Sequence, residues 1–294
     1  MTAGQWCKEV EKRTNGLVKF NYFPGGTLTP PPQTYDSVVK GIADVGGSVF
    51  GFTRGKFPLT QVVDLPLRYK SGIAATRMIN EYYKKFKPKE FDETQVMYLH
   101  AHGPGLLHTK KPVYKLEDVK GMKIRSTGLS AKIVQALGGA PVGMPMNETW
   151  DALSKGVAEG VLCPNEALKS YKLVDVTAYT TETYGCAYSS GFFVLMNKAR
   201  WKSLPKDAQG VIEKINQEWI EKQGKMWDEI EVEGKDFAIK QGMKFISLSL
   251  NEDARWAAAV SPILNDYVTQ SKAKGLPGEQ ALKFCLDYLK ANDK

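Results

Sequence analysis

The chain has 294 residues, 43% hydrophobic and 24% charged, with a formal net charge of +8. No stretch nears the roughly 18 uninterrupted apolar residues that a membrane-crossing helix needs, and the opening MTAGQWCKEVEKR lacks the basic-then-apolar layout of an export signal. The basic residues are scattered among 32 acidic ones, densest only at Lys84-Lys85-Phe86-Lys87-Pro88-Lys89; without a basic stripe and stacking aromatics this predicts no nucleic-acid partner.

Helical spacing covers residues 4 to 14 and stops at Asn15-Gly16, after which Leu17 to Phe23 alternates as a strand. Gly and Pro punctuate the loop to Pro32, a helix runs from Gln33 to Ile42, and an apolar strand follows from Val45 to Phe50. Further strands are predicted at Gln95 to His100, Met122 to Arg125, Val157 to Leu162 and Gly191 to Asn197, the alternating grammar of an α/β fold. From Lys206 to about Gln241 the apolar positions Val211, Ile212, Ile215, Trp219, Met226, Trp227 and Ile230 keep helical spacing, and the propensity cost of Gly224 and Gly234 leaves room for a bend or break near either. Helices from Glu252 to Lys272 and from Gly278 to Ala291 complete the chain.

The stretch Leu116 to Pro164 carries the chemistry. It reads as a polar turn, a strand ending in Arg125, a helix, an apolar turn and a second helix ending at Gly160. Arg125 is its only arginine, and the planar guanidinium fork pairs bidentately with a carboxylate. An organic anion is the ligand this suggests.

The same stretch resembles the substrate-binding proteins of the tripartite ATP-independent periplasmic (TRAP) transporters. The matching elements are Lys120-Gly121 through Arg125, Gly138-Gly139-Ala140-Pro141 through Met144-Pro145, Glu148-x-Trp150-x-Ala152-Leu153, and Gly156 to Gly160. Asp64-Leu65-Pro66, Met196-Asn197 and Ser203-Leu204-Pro205 extend the likeness over almost the whole chain. The resemblance implies a two-lobed, periplasmic-binding-protein-like α/β fold with a long helix spanning both lobes: lobe I from 1–101 and 190–231, lobe II from 102–189 and 232–294. It implies a periplasmic protein that captures a small organic acid, delivers it to TRAP membrane subunits, performs no catalysis and needs no cofactor. It also implies a first central strand upstream of residue 4, which this sequence does not contain.

By the same resemblance Arg125 holds the ligand carboxylate. Ser48, Val49 and Phe50 line the cleft from lobe I, and Thr127, Met144 and Met146 from lobe II; Tyr188, Ser189 and Ser190 form a second crossover, and Trp150 packs in the second lobe beside the ligand. A second Arg of the sialic-acid and dicarboxylate binders aligns with Gly105, and their Asn with Cys163, so the expected ligand is a monocarboxylate with an apolar or aromatic body. His100 and His102 form an H-x-H pair without a second ligand pair, so no metal is predicted; a hydrogen bond from either to ligand or hinge is expected. Cys7, Cys163, Cys186 and Cys285 lack CxxC spacing and read as free buried thiols, or as a Cys163–Cys186 bridge if their strands are neighbours. GxSxG, Walker A, HExxH and complete GxGxxG motifs are absent. The alternatives are a thiol-dependent small-acid enzyme using Cys163 and His100, and a cytosolic ligand sensor.

Overall fold

The computed structural model describes residues 2–293; Met1 and Lys294, the outermost residues of the expected lobe boundaries, lie outside them. In chain order the elements are α1 (Thr2–Arg13), α2 (Thr34–Val39), β1 (Val45–Val49), α3 (Gly72–Phe86), β2 (Thr94–Ala101), β3 (Leu106–Thr109), β4 (Lys123–Ser126), α4 (Ser130–Ala136), β5 (Ala140–Gly143) and α5 (Thr149–Ser154). There follow β6 (Gly160–Cys163), α6 (Glu166–Ser170), β7 (Tyr179–Glu182), β8 (Gly191–Asn197), α7 (Lys198–Ser203), α8 (Lys206–Lys240), β9 (Lys244–Ser247), α9 (Leu250–Val260), α10 (Pro262–Ala273) and α11 (Gly278–Asn292).

Two sheets define the two lobes. In the first, β8 lies between β1 and β2 and is antiparallel to both. The second has the order β5-β4-β6-β3-β7-β9, with β4 parallel to β5 and β6, and β3 antiparallel to β6 and β7. Two strand connections, β2 to β3 and β7 to β8, cross between the sheets. Phe50, Phe57, Phe91 and Phe193 meet at 4.8 to 6.0 Å in the first lobe's core, a spacing at which aromatic rings attract beyond their buried area.

Helix α8 runs unbroken for 35 residues, about 52 Å at 1.5 Å per residue. The two glycines that left room for a bend are points of close approach. A Cβ on Gly224 would stand 3.0 Å from the Ile73 Cα of α3, and one on Gly234 only 2.4 Å from the Asn165 carbonyl oxygen. One turn of α8 also caps a helix in each lobe. Asp228 accepts the Gly72 and Ile73 N–H groups at the start of α3, and Glu231 accepts those of Asn165 and Glu166 at the start of α6. A carboxylate there satisfies orphan N–H donors and the helix dipole together.

Four expectations differ. Residues 17–23 form no strand: they pair with no described strand, and Val18 and Phe20 N–H instead find Thr14 Oγ1 and a Glu11 carboxylate oxygen. The helix after the apolar turn ends at Ser154 rather than Gly160, because Gly156 takes φ +74° and turns the chain before β6, and the apolar turn itself contains β5. The span 252–272 is two helices, since Pro262 has no N–H to continue α9 and starts α10 instead. The C-terminal helices, assigned on sequence to the second lobe, reach the first: α11 packs on α3, and the Tyr267 hydroxyl of α10 donates to Leu59 O at 2.7 Å.

Candidate functional site

Arg125 lies near the end of β4, paired on either side by β5 and β6, which fixes its backbone in a sheet interior. The side chain is 4% exposed. Its Nε and Nη2 both donate to the Met144 carbonyl, at 3.2 and 2.9 Å, so one edge of the fork is held by β5's outgoing chain. Among the described residues no carboxylate pairs with it, and Nη1 has no protein acceptor. Burial lowers its pKa from the ordinary arginine value, yet a guanidinium stays charged, and a buried unpaired cation is costly until an anion meets it. Its field reaches Cys163, Tyr171, Tyr188 and His102, which marks them as its surroundings.

Tyr188 occupies the space that a second arginine would need. Gly105 and Tyr188 form a bridge between the crossovers, with Gly105 N–H donating to Tyr188 O at 2.7 Å. A Cβ on Gly105 would lie 2.2 Å from the Tyr188 ring. The ring is 3% exposed and its hydroxyl donates to Leu162 O at 3.0 Å. This wall is therefore neutral and aromatic.

The crossovers are knitted by His102. Its Nδ1–H faces Gly103 O, its Nε2 accepts Ser190 N–H at 3.0 Å, and its carbonyl accepts the Ser189 hydroxyl at 2.7 Å. Burial drives its pKa down to about 4, leaving the neutral ring that this donor and acceptor pattern requires. Ser189, Ser190 and His102 thus tie the two crossovers to each other. His100 accepts the Trp227 indole N–H at 3.0 Å and stacks on Phe192 at 4.6 Å.

The remaining residues read from the sequence have varied surroundings. Phe50 is fully enclosed in the first lobe's aromatic core, and the Ser48 hydroxyl donates to Pro31 O at 3.0 Å; Val49, half-buried, ends β1. Thr127 is half-buried and its N–H donates to Ser130 Oγ, turning the chain into α4. Met144 contributes its carbonyl to Arg125, and Met146 packs against the buried cluster that contains Val161 and Leu168. Trp150, expected to pack, is exposed, because α5 turns Ala152 and Leu153 inward instead. Cys163 is buried and its thiol pKa is pushed up by burial despite Arg125, the reverse of what a nucleophilic thiolate requires. All four cysteines are free, which removes the Cys163–Cys186 bridge. Among the described residues no group of three His, Cys, Asp or Glu could hold a metal, and no helix is long and apolar enough to cross a membrane.

The lobes touch over the site. A Cβ on Gly51 of lobe I would lie 3.1 Å from the Cα of Gly128, in the turn between β4 and α4, so backbone meets backbone. Tyr171, Gly51 and Gly128 were not singled out by sequence reasoning. They come from segments distant in the chain and carry no motif of their own.

Comparisons with known proteins agree with this architecture. A TRAP solute-binding protein from an unidentified marine metagenome microbe, specific for aromatic acid ligands and complexed with metahydroxyphenylacetate, is 32% identical, with 99% of this chain and 94% of that chain covered and a TM-score of 0.93. One from Rhodoferax ferrireducens T118 with copurified benzoate is 29% identical over 98% of this chain and 92% of that one, TM-score 0.92. An open complex of a TRAP periplasmic solute-binding protein from Desulfovibrio salexigens is 34% identical over 100% of this chain and 92% of that one, with a TM-score of 0.87. The family model for bacterial extracellular solute-binding proteins, family 7, matches residues 1–271, and the chain belongs to that family, the solute-binding proteins of TRAP transporters.

Proposed function

We propose that this protein captures a small aromatic monocarboxylate between its lobes outside the cytoplasm, with the carboxylate on Arg125, and passes it to TRAP membrane subunits. The observation that carries the reading is a buried arginine with no acidic partner among the described residues. Its single carbonyl acceptor leaves an edge of the fork for a carboxylate. The Gly105–Tyr188 wall supplies ring surface in place of a second cation, which favours one carboxylate over two. The structural relatives that hold benzoate and metahydroxyphenylacetate support the same class. Solute-binding proteins of this family work with TRAP permeases and are extracytoplasmic, which supports the delivery step and the compartment.

Titration calorimetry with benzoate, 3-hydroxybenzoate and succinate tests the ligand class; binding of the aromatic acids and not of succinate is expected. Arg125→Ala should weaken aromatic-acid binding by about thirtyfold to several thousandfold, the effect of removing one partner of a buried charge pair. Arg125→Lys should lose much of the same affinity, since an ammonium keeps the charge without the planar fork. An alanine variant that stays folded and binds within about threefold of wild type would place the carboxylate elsewhere.

A further inference from the structure

Asp64 closes the short turn Thr60–Asp64 in lobe I and is 3% exposed. Its Oδ1 accepts the Gly191 N–H at 2.8 Å, at the first residue of β8. Among the described residues Gly191 is its one hydrogen-bond donor, so Oδ2 keeps its acceptor capacity. That oxygen lies at the seam between the lobes, 3.8 Å from where a Cβ on Gly51 would stand and 3.7 Å from one on Gly128. No Lys or Arg among the described residues pairs with it, and Arg125 belongs to the opposite lobe. Burial pushes the carboxyl pKa up to about 7, against the pull of the Gly191 bond. A half-satisfied carboxyl in an enclosed space is costly unless something completes it.

We propose that Asp64 is a specificity-determining residue that receives a hydroxyl group on the ligand, remote from the carboxylate held by Arg125, so that the preferred cargo is a hydroxy-substituted aromatic acid. This rests on the reading that Arg125 holds the carboxylate. The two groups orient an asymmetric ligand: the carboxylate is drawn to the guanidinium on one wall and kept from the carboxyl on the other. A hydroxyl suits Asp64 in either protonation state, donating to the carboxylate or accepting from the acid. A bare ring C–H leaves Oδ2 unpaired, and sites built to bond a hydroxyl discriminate strongly against analogues that lack one. A hydrogen bond to a charged group gives roughly ten- to hundredfold in affinity.

The test is a ratio. Affinities for benzoate and for 3- and 4-hydroxybenzoate are measured on wild type, Asp64→Asn and Asp64→Leu, each checked for folding by circular dichroism. Asn keeps an oxygen for Gly191 N–H, so it preserves the tie to β8; Leu removes hydrogen bonding at similar volume. Wild type should prefer at least one hydroxybenzoate by roughly tenfold or more. That preference should fall several-fold in Asp64→Asn and to within about threefold of unity in Asp64→Leu. A purely structural role moves all affinities together and leaves the ratio standing. A ratio near one in wild type, or one unchanged in the folded variants, overturns the assignment of Asp64 while Arg125-dependent benzoate binding still supports the broader reading. Failure of all these aromatic acids to bind overturns both.

Discussion

Two buried histidines and the half-buried His100 are held neutral: His100 is pushed down to about 3, and His102 and His108 to about 4, chiefly by desolvation. Their unfolded values lie near 6.5, so between about pH 4 and 6.5 the unfolded chain binds more protons and stability falls as pH falls. His102→Asn offers an oxygen to Ser190 N–H without titrating. The stability advantage of wild type over this variant, measured by urea unfolding, should shrink as pH drops from 7 to 4.5; a constant difference would mean that His102 ionises normally in the fold. Gly105 gives a second prediction. With a Cβ only 2.2 Å from the Tyr188 ring, Gly105→Ala overpacks the bridge and should cost about 1 to 3 kcal/mol. Thermal unfolding should show that cost shrinking in a Tyr188→Ala background, where the two effects are coupled. Arg125 was legible because one residue type in one motif names its chemistry. The Tyr188 ring over Gly105 was not, because the contact exists only once two crossovers lie side by side. The exposure of Trp150 escaped for the same kind of reason: which face of a short element turns inward depends on partners from elsewhere in the chain.

Among the elements, α8 sets helix propensity against packing. Gly210 lies in this helix with nothing within 4 Å of an added Cβ, whereas Gly234 would drive one into the Asn165 backbone. Gly210→Ala should stabilise by about 0.5 to 1 kcal/mol through propensity alone. Gly234→Ala gains the same propensity but must displace backbone, so it should destabilise. Opposite signs in denaturant midpoint confirm the distinction, and a gain at both sites would refute it. Helical spacing revealed α8 because its buried stripe, including Ile212, Ile215 and Trp219, recurs at that period. Four residues are too few for alternation to stand out, and strands β3, β5, β7 and β9 escaped notice, although β4 and β6, which are no longer, were found beside the motif around Arg125 and Gly160. The alternation at 17–23 misled in the other direction, since a strand needs a neighbour as well as a pattern.

For the molecule as a whole, the Gly51–Gly128 contact is the place to prop the lobes apart. Gly51→Val should leave each lobe's core intact while weakening benzoate affinity and enlarging the radius of gyration at saturating benzoate, read by small-angle scattering. Unchanged affinity and scattering would show that the seam yields without cost. The enclosure of Arg125, 4% exposed, bears on time as well as affinity. On the proposed reading a carboxylate seated there leaves as the lobes part, so its escape is a first-order event clocked by opening. Chasing bound benzoate with excess unlabelled benzoate should therefore give one release rate at every chase concentration. A membrane partner that hastens unloading would do so by shortening the wait for the lobes to part, without competing for the guanidinium.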